Sequence, residues 1–286
     1  MSFDKSSWAA YGPTALFVLL WSSGALFAKW GLQHASAFAF LGLRFALAFG
    51  VLLLLATARR RWLPAPGTRW RVAATGLLLI GGYATCYLLA LDHGLTPGVL
   101  ATVLGAQPLL TLVLMERRFP LRRVLGLCLA LAGLVLVVYD SLVLTRLSAG
   151  GIGFALACLA CMTSGAMLQK TVNQAPMDVL PLQYGASLLL SLLFLPFQPI
   201  DWEWTLGFFV PLLWMGLVIS VGATLLLYRL IQAGNLVNVT SLFYLVPGGT
   251  AVLDYLVFGN RLPLPSLLGL GAILLGLAQV MHSKKG

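Results

Sequence analysis

The stretch Ser23, Gly24, Ala25, Leu26, Phe27, Ala28, Lys29 returns without a gap as Ser164, Gly165, Ala166, Met167, Leu168, Gln169, Lys170. Three further echoes keep nearly the same offset. Pro108 answers Pro247; Arg118, Phe119 and Pro120 answer Arg261, Leu262 and Pro263; Leu125, Gly126 and Leu127 answer Leu268, Gly269 and Leu270. A repeat kept in order over this much of a chain marks a duplicated structural unit.

Composition says what the unit is made of. Of 286 residues, 60% are hydrophobic and 9% charged, with a mean hydropathy of +0.95, whereas about a quarter of a soluble domain is charged. Apolar stretches long enough to cross a bilayer, at about twenty residues each, recur along the whole chain. They predict helices near 13–33, 36–57, 72–92, 96–115, 122–139, 150–170, 178–198, 206–230, 235–258 and 264–282. The expected fold is an all-α integral membrane protein of ten transmembrane helices. Residues 1–12 are an N-terminal tail, 13–140 a first five-helix repeat and 149–282 a second. Five is odd, so the second copy enters the bilayer from the opposite side, which makes the pair an inverted repeat. Such repeats place substrate near the midplane between halves and alternate access by exchanging two related conformations.

The formal charge of +10 sorts by position. Lys5, Arg59, Arg60, Arg61, Arg69, Arg71, Arg117, Arg118, Arg122, Arg123, Lys170, Arg229, Lys284 and Lys285 fall in one set of connectors and tails. Only Lys29, Arg44, Arg146 and Arg261 fall elsewhere. Basic connectors stay on the cytoplasmic side, so both termini are expected there, and the charge marks orientation rather than a nucleic-acid surface. Trp202 and Trp204, beside Asp201 and Glu203, suit the outer interface. The apolar run ending near Trp30 has no cleavage-site pattern after Asp4 and Lys5 and reads as a retained first helix.

Cys86, Cys128, Cys158 and Cys161 all lie in apolar runs, which argues against a disulfide framework. Cys158 and Cys161 form a CxxC with no second pair and no nearby His, a pattern of helix packing rather than of a metal site. Connectors are too short for a nucleotide-binding module, and no Walker loop, HExxH, GxSxG or paired intramembrane carboxylate is present. Direct ATP use is not encoded, no motif supports catalysis, and no cofactor is expected.

In order and duplication the residues resemble the drug/metabolite transporter superfamily, in its EamA-type ten-helix branch. The first copy carries the resemblance on Trp21, Ser22, Ser23, Gly24 and Lys29, on Leu43, Arg44 and Phe45, on Ala101 through Pro108, on Glu116 and Arg117, and on Gly126 to Gly133. The second carries it on Asn235 to Pro247, Gly259 to Leu262 and Gly269 to Gly276. Two departures stand out. The fourth helix ends sooner after its proline than the ninth, and the arginine of the second helix has Tyr184 as its counterpart, just as Asn260 replaces an expected acid. The resemblance implies export or exchange of small metabolites such as amino acids across a bacterial inner membrane.

Ionisable groups within spans are costly and therefore candidates for function. Arg44 sits about eight residues into the second helix. It and Lys29, near the outer end of the first, suit a carboxylate-bearing substrate; a structural arginine satisfied by carbonyls, and a lysine reaching the interface, are the alternatives. Gln107 and Pro108, matched by Pro247, Gly248 and Gly249, interrupt helices at corresponding places and point to hinges around a site. Trp21, Tyr83, Tyr87, Tyr228 and Tyr244 could line a cavity, or simply pack. Asp254, and Asp92 beside His93, are the candidates for coupling to protons. Asn238, Val239, Thr240 match a glycosylation triplet, a chance match in a cytoplasmic loop.

The expected function is a secondary transporter of a small polar or zwitterionic, amino-acid-like metabolite, acting as a monomer or homodimer. An exporter of lipophilic cations and a non-transport membrane scaffold or enzyme are the alternatives. Arg44 argues against the first, because a basic cavity repels cations.

Overall fold

The computed structural model describes residues 5–116, 120–143, 148–259 and 263–282. Arg117, Arg118, Phe119, Arg146, Asn260, Arg261, Leu262, Lys284 and Lys285, which contribute to the charge pattern and the repeat, lie outside the described residues. Hydrocarbon offers the backbone no hydrogen-bond partner, so segments this apolar close their bonds internally as helices. Among the described residues ten long helices result: α1 (Lys5–Gly31), α2 (Ala37–Ala58), α3 (Arg69–Asp92), α4 (Pro97–Met115), α5 (Leu121–Val137), α6 (Ala149–Lys170), α7 (Pro176–Phe197), α8 (Leu206–Ala233), α9 (Leu236–Phe258) and α10 (Leu264–His282). Nine offer a span of 18 residues or more. α5, at 17, is at the lower limit of a span, and a short helix, Tyr139–Val143, continues beyond it. Among the described residues the extended structure is one antiparallel bridge, Ala35 with Trp202.

The boundaries have local causes. Thr96 accepts from the Val99 amide with Pro97 in the first turn of α4, Ser148 accepts from the Gly151 amide before α6, and Asn235 accepts from the Asn238 amide before α9. Each satisfies an amide that a helix start leaves open. At the N-terminus the helix begins at Lys5 and runs through Pro13, so the segment expected as a tail is helical over most of its length.

Packing follows the duplication. The first helix of each repeat lies on the third and fourth helices of the other, α1 on α8 and α9, α6 on α3 and α4, while α2 packs on α7. The last helices, α5 and α10, pair face to face. A Cβ at Gly133 would lie 2.6 Å from the Gly269 carbonyl oxygen, and one at Gly126 would lie 2.7 Å from that of Gly276. Glycine at these four positions allows the backbones to meet, as small residues do between membrane helices. The largest buried cluster centres on α2, α7 and α8, with Phe45, Leu52, Val179, Leu180, Tyr184 and Tyr228 among its members.

Four helices are irregular in mid-span, and they correspond across the repeat. α3 carries a π-helical segment at Leu77–Gly82 and α8 one at Trp214–Ala223. α4 breaks at Gly105 and Ala106, and α9 passes through a 3-10 turn at Leu242–Tyr244. After the break α4 has 9 residues (Gln107–Met115) and α9 has 14 (Leu245–Phe258), in line with the shorter fourth helix expected from the sequence.

Candidate functional site

The irregular helices surround one point. Arg44, half-buried on α2, donates from Nε to Ser220 Oγ at 2.8 Å. Its repeat counterpart Tyr184, on α7, donates to the Ser220 carbonyl at 2.5 Å and lies 3.3 Å from Thr224 Oγ1. Both therefore rest on the π-helical segment of α8, where one extra residue per turn displaces the backbone bonding pattern. That is the kind of distortion often found at functional sites. The guanidinium also lies 5.9 Å from the Phe45 ring. Among the described residues no hydrogen-bond partner reaches either Nη of Arg44, and no carboxylate pairs with it. Asp254, half-buried on α9, is not one of its partners.

Around this point lies a cavity of about 70 Å³. Its walls include Trp21 of α1, Arg44 and Phe45 of α2, Tyr83 of α3, Gln107 of α4, Tyr184 of α7, Tyr228 of α8 and Thr240 and Phe243 of α9. Trp21, Phe17 and Phe243 pack mutually edge-on or tilted at 5.1–5.5 Å. Tyr228 donates to Gln183 Oε1 at 2.7 Å, and Gln183 in turn donates to Gln169 at 3.0 Å, so a buried polar chain stiffens the wall. At roughly 30 Å³ per water the cavity holds about two waters, far below the roughly 300–1,000 Å³ of a ligand pocket. A metabolite fits only if the surrounding helices separate.

A second cavity, of about 310 Å³, opens at the end of the bundle where the arginine-rich connectors lie; Glu116, Lys170, Gly234 and Asn235 are on its walls. It shares α6, α8 and α9 with the central cavity. Lys170 stands four residues beyond Ala166, and Val237 two residues before Val239, so roughly 3–6 Å of helix separates the two spaces. This end of the bundle is tied by polar contacts. Arg123 of α5 is 5% exposed; Nη1 donates to both Glu116 oxygens at 2.7 Å, and Nη2 to Asn235 and Asn238 at 2.7 Å each. Lys170 donates to the carbonyls of Ile231, Gln232 and Gly234 at the end of α8. Arg59 and Arg61 pair with Asp178 at 3.7 and 3.2 Å. At the opposite end the α1–α2 turn is tied to the α7–α8 connector, by Ser36 Oγ donating to the Pro199 carbonyl at 2.6 Å and by His34 with Glu203 at 2.6 Å.

The sequence candidates divide accordingly. Trp21, Arg44, Tyr83, Gln107 and Tyr228 meet at the central cavity. Tyr244 lies outside it, buried among α5 and α10 residues, where its hydroxyl donates to the Gly105 carbonyl at 2.6 Å. It thereby joins the breaks of α4 and α9. Tyr87 stands 6.0 Å from Tyr83 but packs with the α4 and α6 cluster, and Lys29 is exposed. Pro108 begins the second segment of α4. Pro247 follows the turn in α9, and the glycines after it permit close approach: a Cβ on Gly248 would run into Leu270, and one on Gly249 into Ser22. His93 Nδ1 donates to the Leu89 carbonyl at 2.9 Å, closing α3, and its ring packs on Phe154; Asp92 is exposed. The four cysteines are free. Ser220 and Thr224 were missed as site residues; the Gly216 and Gly222 that flank Ser220 were the available signal.

A family model described as the EamA-like transporter family matches residues 9–139 and again 149–281. The chain belongs to this family. It is a multi-pass membrane protein with the family's two-repeat, ten-helix fold, and the family consists of transporters. A crystal structure 21% identical in sequence superposes with a TM-score of 0.80, covering 95% of this chain and 98% of that one. That likeness is one of fold. In all, 29 chains of solved structures match, while no curated protein matches.

Proposed function

We propose that this family member is a secondary transporter that exports or exchanges a small, carboxylate-bearing, polar or zwitterionic metabolite of amino-acid size across a bacterial inner membrane, with both termini cytoplasmic. The observation that carries this is Arg44. A guanidinium is charged at any accessible pH, and placing it at the centre of a bundle is costly unless something compensates it. Here one donor is used on Ser220, and two Nη groups with fork geometry remain beside the cavity, suited to two oxygens of one carboxylate.

Transport by alternating access is supported by the arrangement of barriers. The central cavity is too small for cargo and lies between tied ends, while the irregular segments that could change conformation come in repeat-related pairs. An aromatic lining of Trp21, Phe45, Tyr83 and Phe243 also suits lipophilic cations, but the fixed charge of Arg44 opposes them.

Melting of the purified full chain in detergent separates these readings, since a ligand bound only to the folded state raises the melting point. Small carboxylates should stabilise the parent, and Arg44→Gln, which removes a buried cation, should stay folded yet lose that response. Stabilisation by lipophilic cations alone, or an Arg44→Gln protein that binds carboxylates as the parent does, overturns the proposal.

A further inference from the structure

Gln107 opens the second segment of α4, is 1% exposed, and lines the same cavity as Arg44. Its amide Nε2 donates to the Met162 carbonyl of α6 at 3.4 Å. Because Met162 contributes an acceptor, the amide must turn its nitrogen that way, which fixes the side-chain oxygen as the other pole. That oxygen, Oε1, is buried and has no hydrogen-bond partner. Native proteins rarely leave a buried acceptor unpaired, and an exception calls for an explanation at that residue.

The fold does not require an amide here. By the equivalence of Pro108 and Pro247, the position matching Gln107 in the second repeat is Val246, which is apolar. Other polar groups of the cavity wall are donors or are already engaged: Tyr184 and Tyr228 donate to the protein, and Thr240 donates to the Val237 carbonyl. Arg44 is donor-only by its chemistry. Thr224 donates to the Ile219 carbonyl, and the Trp21 indole is donor-only, which leaves the Tyr83 hydroxyl as the other neutral polar group of the wall. Gln107 Oε1 is thus a neutral, unpaired amide acceptor on a wall whose one charge is cationic.

We infer that Gln107 is a specificity-determining residue whose Oε1 accepts a hydrogen bond from an N–H or O–H donor of a ligand that Arg44 holds by its carboxylate. The cavity then reads two features of one small molecule, an anionic group and a donor, and discriminates against acids that lack the donor. This inference rests on the carboxylate reading of Arg44. A site with a buried group waiting for a partner rejects the analogue that leaves it unpaired far more strongly than an apolar wall rejects a missing methylene.

The test uses the purified full chain and three related probes: the L-amino acid that most raises its melting point, the desamino acid of the same side chain, and the N-acetyl derivative, with Kd measured calorimetrically. The parent should bind the amino acid at least about tenfold more tightly than the desamino acid. Gln107→Met, which keeps the length and removes the acceptor, should weaken the amino acid until the two acids differ by less than about threefold, leaving the desamino acid nearly unchanged. The N-acetyl derivative, which keeps an N–H but loses the positive charge, should fall between them. Equal binding of amino and desamino acids by the parent, or a preference that survives in Gln107→Met, overturns the inference while the carboxylate reading stands. If no carboxylate stabilises the parent, or Arg44→Gln binds every acid as tightly as the parent, the carboxylate reading itself falls. Where Gln107→Met does not fold, Gln107→Asn, which withdraws the acceptor by one methylene, should reduce the preference in the same direction.

Discussion

Replacing Glu116 by Ala should destabilise the protein through a stranded cation rather than through lost packing. Arg123 is almost fully enclosed, with 6% side-chain exposure against 19% for Glu116, and its Nε has no partner. In the parent, one Nη is held by the carboxylate and the other by Asn235 and Asn238. Removing one member of a buried pair costs roughly 3–5 kcal/mol because the other charge is left uncompensated. The low end, about 3 kcal/mol, applies here, since the second cavity borders Glu116 and lets water reach the vacated site. Asn235 Nδ2, which donates to Glu116 at 2.9 Å, loses its acceptor as well. By the scaling of soluble domains, roughly 2–4 °C per kcal/mol, melting in detergent should fall by about 6–12 °C. Glu116→Gln, which keeps an acceptor oxygen, should cost about 1–2 kcal/mol. The decisive comparison is the double variant: adding Arg123→Met to Glu116→Ala removes the stranded charge and should recover about 1 kcal/mol or more, a non-additive result. A double variant no more stable than Glu116→Ala, or a single variant that melts with the parent, would refute the electrostatic account.

Three other outcomes are expected. Gly133→Ala forces a methyl against the Gly269 backbone and should cost about 1–3 kcal/mol by overpacking, whereas Gly271→Ala, where a Cβ meets nothing within 4 Å, should melt as the parent does. Tyr244→Phe strands the Gly105 carbonyl at the break of α4 and should cost about 1–3 kcal/mol in melting; an unchanged melting point would mean that water already serves that carbonyl. Reporter fusions near Thr68 and at Gly286 should both read cytoplasmic, because arginine-rich connectors resist translocation, and a periplasmic signal at either would reverse the proposed orientation.

Helix number and duplication were legible because they depend on composition and on order along the chain. An 18-residue apolar run needs no partner to be recognised, and Ser23–Lys29 returning at Ser164–Lys170 needs only comparison. Arg44 and Gln107 were legible as polar residues where polarity is costly. The contacts that define their roles were not. Arg123 meets Asn235 and Asn238 across 112 and 115 residues, and nothing in local periodicity announces such a meeting. Asn238 therefore read as part of a chance glycosylation triplet, and Arg123 and Lys170 as orientation charges. The π-helical segments of α3 and α8 were invisible for a related reason: a segment that loosens by one residue per turn has the same apolar composition as a regular helix.

The proposed site falls where the two repeats stop matching, and electrostatics gives a reason. Inverted repeats bring equivalent positions together near their pseudo-symmetry axis, as Arg44 and Tyr184 meet on Ser220. Had duplication kept arginine at both, two guanidiniums would share one serine, and like charges about 4 Å apart repel by about 4 kcal/mol at an effective dielectric of 20. Tyrosine relieves this. It keeps a donor for the Ser220 carbonyl and leaves a single guanidinium, the charge that the proposed carboxylate would neutralise. The same asymmetry separates Gln107 from Val246, one polar and one apolar at matched helix breaks. Glycines show the opposite pattern. Gly126 and Gly133 keep their counterparts Gly269 and Gly276, because the α5–α10 contact needs the same close approach from both sides. On the proposed reading, matched glycines build the scaffold, and the positions that disagree at its centre, Arg44 with Tyr184 and Gln107 with Val246, are where a ligand would be told apart from its mirror placement.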